Sequence, residues 1–281
     1  MTTTLVTGSR GKVGQGVIAR LHSAGHSVRA ASARPADLTA PNGVERTELA
    51  LDRPEAFAAA LRGVQQVFLY PQPAGIHAFA EAAEAAGVEH VVLLSSSSVL
   101  GPDAENDPLA SHSLLVERAL ADSGLNCTLL RPDAFASNSL GWAYSIGRGL
   151  PIQLAHPEAH IAPIHPEDLA DIAAEALTSS SLTGSTPTLT GPESLTFREQ
   201  LAVLAEVLGL EIPVERISRA EAEEQMRRHM PAPVVTSLLD LWEAATHGPA
   251  PVHDTTLTLL GRPARTFHQW ARENTAAFTR P

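Results

Sequence analysis

Leu5-Val-Thr-Gly-Ser-Arg-Gly-Lys-Val-Gly14 decides how this chain is read. An apolar run breaks into three glycines three apart, and Val13, Val17, Ile18 and Leu21 then recur at helical spacing. The order is strand, turn, helix. Each glycine has its own reason: the backbone bends sharply at Gly8, a pyrophosphate approaches it at Gly11, and helix packs on strand at Gly14. The helix N-terminus then offers unpaired N–H groups and the positive end of its dipole to phosphate. A second strand follows at His26-Ser-Val-Arg-Ala-Ala31, which is the context a dinucleotide-binding turn requires. Thr7, Ser9, Arg10, Lys12 and Val13 lie in the same turn and join the glycines as expected cofactor-binding residues.

Downstream, strands alternate with helices. Strands are read near 48–51, 67–70, 91–94 and 127–130, and helices over 54–62, 76–86 and 114–123. The run Val91 to Leu94 is continuously apolar, as a parallel strand buried on both faces should be. This alternation predicts an α/β fold with a Rossmann-like, doubly wound parallel sheet, its ligands outside the carboxyl ends of the strands. The second half is less regular: a helix over 168–177 led by Pro166-Glu167, a late strand at 186–189, an amphipathic helix over 197–208 ended by Gly209, and a helix pair over 219–229 and 234–245. The expected organisation is an NADP-binding domain over 1–155, then remaining sheet elements and a smaller, mainly helical substrate or lid lobe over 156–281.

Composition narrows the function. With 281 residues and 44% hydrophobic content the chain can bury a full core. Its 31 acidic residues against 20 basic give a net charge of −11, which opposes binding to nucleic acid or an anionic membrane surface. The start lacks a basic and then apolar leader, and no apolar run approaches the roughly 20 residues of a span, so a cytoplasmic protein is expected. Only Lys12 among the basic residues is lysine, and it lies inside the glycine turn. The single cysteine, Cys127, excludes an intrachain disulfide and reads as an inert thiol in a buried strand.

The end of the second strand bears on the nucleotide. A cofactor lacking the 2′-phosphate is usually held there by Asp or Glu, but the sequence reads Ala30-Ala-Ser-Ala-Arg34. Arg34 can fork onto a phosphate, Ser32 can donate to it, and Arg10 is a second candidate clamp. NADPH is therefore the expected cofactor, with NADH weaker. His156 and His160 are four apart, but Pro157 and the lack of a third ligand argue against a metal. With His165 they lie in the connection leading to the 168–177 helix. Met226 and Met230 lie in helices that could be a lid over an apolar substrate or core.

These motifs together resemble the short-chain dehydrogenase/reductase superfamily, in particular its atypical NmrA-like branch of NAD(P)H-binding proteins. Besides the glycine turn, the landmarks are Ala60-Leu-Arg-Gly-Val-Gln-Gln-Val-Phe-Leu69, Leu93-Leu-Ser-Ser96, Leu129-Leu-Arg-Pro132 with Phe135 and Asn138, Ile164-His-Pro-Glu-Asp-Leu-Ala170, Leu189-Thr-Gly-Pro192 and Gly261-Arg-Pro-Ala-Arg-Thr-Phe-His-Gln-Trp270. The resemblance covers nearly the whole chain and implies a Rossmann domain with a small substrate lobe. It places Asp52 toward the adenine and adds Pro71 and Ser95 to the cofactor contacts. Ser96 matches the family serine, since Ser95-Ser-Ser-Ser-Val-Leu-Gly101 is similar to the Ser-Ser-x-x-Val-Tyr-Gly segment of extended members, with Leu100 replacing the tyrosine. A polar turn would use the same serines.

Reductases of this superfamily use a tyrosine and a lysine four residues later to protonate the carbonyl oxygen, and this chain has no such pair. Its two tyrosines are Tyr70 and Tyr144, and the corresponding helix reads Leu109-Ala-Ser-His-Ser-Leu-Leu-Val-Glu117. Candidate catalytic residues are then Ser96, His165 and Tyr144, with Ser96, Asn138, Trp142 and His160 on the substrate side. The substrate itself could polarise its carbonyl through a neighbouring phenol or enol. The resemblance extends to atypical ketoreductases of angucyclinone antibiotic biosynthesis, which implies an NADPH-dependent reductase of a ketone or quinone on a polycyclic aromatic metabolite, acting as monomer or homodimer. A non-catalytic NADP(H)-sensing regulator that binds a protein partner is the alternative.

Overall fold

The computed structural model describes residues 2–279. It divides into two compact units, each discontinuous in sequence. The first comprises the chain up to Asn106, Ala110–Pro132 and Pro166–Leu189; the second comprises Asp107–Leu109, Asp133–His165 and everything from Thr190 onward.

In the first unit the elements run β1 (Thr3–Val6), α1 (Lys12–Ser23), β2 (Ser27–Ser32), β3 (Glu45–Glu48), α2 (Phe57–Ala60), β4 (Gln66–Leu69), α3 (Ile76–Ala85), β5 (His90–Leu94), α4 (Ser111–Ala121) and β6 (Asn126–Pro132). The late strand Thr188–Leu189 completes a seven-stranded sheet in the order β3-β2-β1-β4-β5-β6 and then that strand. Every pairing is parallel. Chain order therefore reverses between β1 and β4, the switch point at which doubly wound sheets bind ligands. One sheet face packs on α2, α3 and α4 through Phe57, Leu61, Phe79 and Val116, with the Phe57 and Phe79 rings edge to face at 5.5 Å. Against α1 lies the helix Pro166–Thr178. A Cβ added at Gly16 would stand 2.7 Å from Ala170 Cβ, so the glycine is what lets the two helices close. Arg20 of α1 fixes their register by pairing with Glu167 at 2.8 Å and with Asp171.

Two local expectations need correcting. The third strand is Glu45–Glu48, not a segment near 48–51: Leu49 and Leu51 are apolar because the loop after β3 plugs them into the core, at 6% and 8% exposure. The expected helix over 54–62 is a 3₁₀ turn, Pro54–Ala56, followed by the single α-turn of α2.

The second unit is mainly helical. Helix Phe197–Leu208 matches its expected bounds, since Thr196 and Glu199 form a capping box at its start and Gly209 ends it at φ 66°. Helices Arg219–Met226 and Ala232–Ala244 follow. Two small sheets pair Ile152–Leu154 with Val214–Arg216, and His160–Ile161 with Leu195–Thr196. Trp270, Phe267 and Phe278 centre the larger apolar cluster. No described helix is long and apolar enough to cross a membrane.

Candidate functional site: a nucleotide cradle at the sheet edge

The glycine turn is tied to the neighbouring strand before it reaches α1. Thr7 N–H and Oγ1 both donate to the Phe68 carbonyl, at 2.9 and 3.1 Å, and Thr7 Oγ1 accepts from Tyr70 N–H at 2.7 Å. Ser9, 2% exposed, donates to the Val6 carbonyl at 2.7 Å. The hydroxyls of Thr7 and Ser9 thus shape the turn. Gly8 has φ 61°, which a side chain rarely adopts, and a Cβ there would also press on Tyr70 at 3.0 Å. A Cβ at Gly14 would run into the Gly8 carbonyl. Gly11 is different: the nearest atom to an added Cβ is Gly8 O at 3.4 Å, an ordinary contact, so the fold itself tolerates a side chain there.

Gly11 is the N-cap of α1, and no side chain caps that end, nor does an acidic residue stand in its first turn, among the described residues. This end is flanked by exposed Arg10, Gly11 and Lys12 and half-buried Val13. An uncapped, exposed helix end with room for a side chain at Gly11 and cationic flanks fits a dinucleotide pyrophosphate.

At the end of β2, Ser32 Oγ accepts from Arg34 N–H at 3.1 Å, and the Arg34 side chain is 70% exposed with Nε 3.3 Å from Asp37. The absence of a carboxylate from β2 itself does not leave the place uncharged. Glu48 is the register partner of Ser32 on β3, and Arg53 reaches it at 2.6 Å while also donating to Ala33 O at 3.4 Å. Arg53 was not anticipated; a loop arginine distant from the motif carries no sequence signal. Asp52 is exposed beside it, and Pro71 is half-buried in the loop after β4.

The serines after β5 divide their work. Ser95, 5% exposed, donates to Glu117 Oε1 at 2.5 Å, and Arg131 Nε and Nη2 grip the same carboxylate at 3.0 and 2.7 Å. This network ties β5, α4 and β6 together, and its hydrogen bonds to Glu117 raise the Arg131 pKa. The Ser95 hydroxyl is thereby committed to Glu117. Ser96 is half-buried and caps a 3₁₀ turn, accepting from Ser98 N–H at 3.2 Å. Glu117 and Arg131 were missed as a pair because the sequence does not say which carboxylate faces a buried arginine.

The remaining candidates lie in the second unit. His165 is 2% exposed, with Nε2 3.1 Å from Glu273, a contact internal to that unit. His160 Nδ1 meets Ser194 Oγ at 3.3 Å. Tyr144 is 66% exposed under the Arg148 guanidinium, Asn138 is exposed, and Trp142 packs edge-on against Phe197, which does the same with Trp242. Burial lowers the pKa of His156, whose Nε2 is buried without a hydrogen-bond partner among the described residues.

Sheet order, switch point and cradle define a Rossmann-type nucleotide-binding protein. A family model described as NAD(P)H-binding matches residues 8–180, and the chain belongs to that family. It is 39% identical over 279 residues to a (4-alkanoyl-5-oxo-2,5-dihydrofuran-3-yl)methyl phosphate reductase of Streptomyces griseus, covering 98% of each chain. It is 30% identical to an NAD(P)H azoreductase of Xenophilus azovorans, again over 98% of each. The solved NADPH-dependent quinone oxidoreductase of Escherichia coli shares the fold, with a TM-score of 0.81 over 96% of this chain and 99% of that one at 24% identity. In class, the protein is an NAD(P)H-dependent oxidoreductase.

Proposed function

We propose that the protein is an NADPH-preferring reductase of a conjugated, electron-poor small molecule, a quinone or an enone-type lactone of secondary metabolism. The observation that carries this is the missing acid. The segment leading into α4 holds Leu109 and no Tyr-x-x-x-Lys pair, and α4 instead commits Glu117 to Ser95 and Arg131. NADPH would supply the hydride. An isolated ketone would then develop alkoxide charge that needs a donor, and a positioned general acid is worth about 10²- to 10⁴-fold. A conjugated acceptor spreads that charge over its own carbonyls and needs little help. A 4-alkanoyl-5-oxo-2,5-dihydrofuran carries a ring double bond conjugated to two carbonyls, and azo and quinone groups are likewise electron sinks. A polycyclic aromatic ketone with an adjacent phenol meets the same requirement through an internal hydrogen bond. The chain's residues then have mainly to hold the substrate in line, and Asn138, Trp142, Tyr144, His160 and Ser96 are the candidates.

Loss of NADPH absorbance over a panel of quinones, 4-acyl butenolides, phenolic polycyclic ketones and simple ketones tests this. Turnover of all but the simple ketones is expected, and Ser96→Ala, Tyr144→Phe and single alanine variants of His156, His160 and His165 should each cost less than about tenfold in kcat. A thousandfold loss from any one, with binding intact, would show that the protein supplies the proton. Tight NADPH binding with no oxidation across the panel would favour a regulator instead.

A further inference from the structure

The loop after β3 brings a second guanidinium to the end of β2. Arg53 Nη2 donates to the carbonyl of Ala33, the residue between Ser32 and Arg34, and Nη1 donates to Glu48 Oε1 at 2.6 Å. Arg34 is similarly held, with Nε 3.3 Å from Asp37 Oδ2. Both pairs are exposed: the side chains of Arg53 and Glu48 are 43% and 53% accessible, those of Arg34 and Asp37 70% and 52%. Exposed ion pairs hold their partners weakly, so a dianionic phosphate, with more charge and more acceptor atoms than one carboxylate, can take both arginines from them.

From this arrangement we infer that Arg53 is the second arm of a two-arginine clamp on the ribose 2′-phosphate, and that Glu48 sets how well the nucleotide lacking that phosphate is tolerated. Glu48 stands in register with Ser32, so it occupies on β3 the role that an acidic residue at the end of β2 would fill. With the phosphate present, Arg53 leaves Glu48 for it. With a free ribose hydroxyl, the Glu48 carboxylate accepts from that hydroxyl. The inference rests on the NADPH preference proposed above and assigns part of it to this pair.

Dissociation constants for NADPH and NADH, measured by titration calorimetry on the wild type and on Arg53→Ala, Arg53→Lys, Arg34→Ala and Glu48→Gln, decide it. Arg53→Ala should weaken NADPH about tenfold or more, the effect of a hydrogen bond to a charged group, and leave NADH within about twofold. Arg53→Lys should recover only part, because the fork is lost. Glu48→Gln should tighten NADPH and weaken NADH, a crossed effect that a merely structural residue would not give. If Arg34→Ala discriminates between the cofactors while Arg53→Ala and Glu48→Gln do not, the clamp is Arg34 alone and the inference fails with the preference intact. If no variant discriminates, the NADPH preference itself is wrong.

Discussion

Gly11 and Gly14 belong to one motif but are constrained differently. A Cβ at Gly14 runs into the Gly8 carbonyl, whereas at Gly11 it makes only ordinary contact with that carbonyl, so protein packing demands glycine at Gly14 and not at Gly11. Gly11→Val should therefore fold with an unchanged far-ultraviolet spectrum and lose NADPH binding by about a hundredfold or more in titration, because its side chain fills the space where the pyrophosphate approaches. Normal binding by this variant would reduce the turn to a structural role. At this scale the sequence was legible where the backbone conformation itself demands a residue type, as at Gly8 with its φ of 61°, and not at Ser9, whose hydroxyl bond to Val6 carries no sequence signal. It was silent about Arg53, whose place depends on where a loop returns. Cys127, half-buried on β6, has its thiol pKa pushed up to about 11 by burial.

Among the elements, α4 is tied to its neighbours through a single side chain. A buried carboxylate at Glu117, with 7% side-chain exposure, holds Ser95 just after β5 and Arg131 on β6. Glu117→Ala strands a guanidinium that is only 18% exposed and frees a buried hydroxyl. Removing one partner of a buried pair typically costs about 3–5 kcal/mol, and urea unfolding should show a loss toward the lower end because Arg131 keeps some contact with water. A change under about 1 kcal/mol would mean that the network is dispensable. Elements of several helical turns were legible, Phe197–Leu208 to the residue, because period and caps agreed. The two-residue strands His160–Ile161 and Leu195–Thr196 were not, since two residues carry no periodicity. Near Leu49 and Leu51 a buried loop imitated a strand.

Across the whole molecule, acid should act through the buried histidine of the central sheet. His90 on β5 is 7% exposed, its Nε2 2.9 Å from Thr128 Oγ1, and burial lowers its pKa below the usual imidazole value. The unfolded chain therefore takes up the proton first. The stability this group contributes is fully present above about pH 6.5 and is lost as pH falls from there toward its folded value, by up to about 1.4 kcal/mol per pH unit for one proton. Thermal melts from pH 7.5 down to 5.5 should show Tm falling, with a shallower slope in His90→Asn. Equal slopes for the two proteins would remove His90 from the account.

The helix Pro166–Thr178 covers α1, yet it is made only after the chain has left the first unit at Pro132 and begun the second. On the ribosome, then, the glycine turn and six of the seven strands emerge long before the helix that Gly16 and Arg20 await. The nucleotide-binding half is consequently no detachable N-terminal cassette. A gene cut after the sixth strand would encode the whole phosphate turn with one flank of its own helix bare, and a fusion partner or evolutionary shuffling event must take the chain through Leu189 to carry that turn away intact.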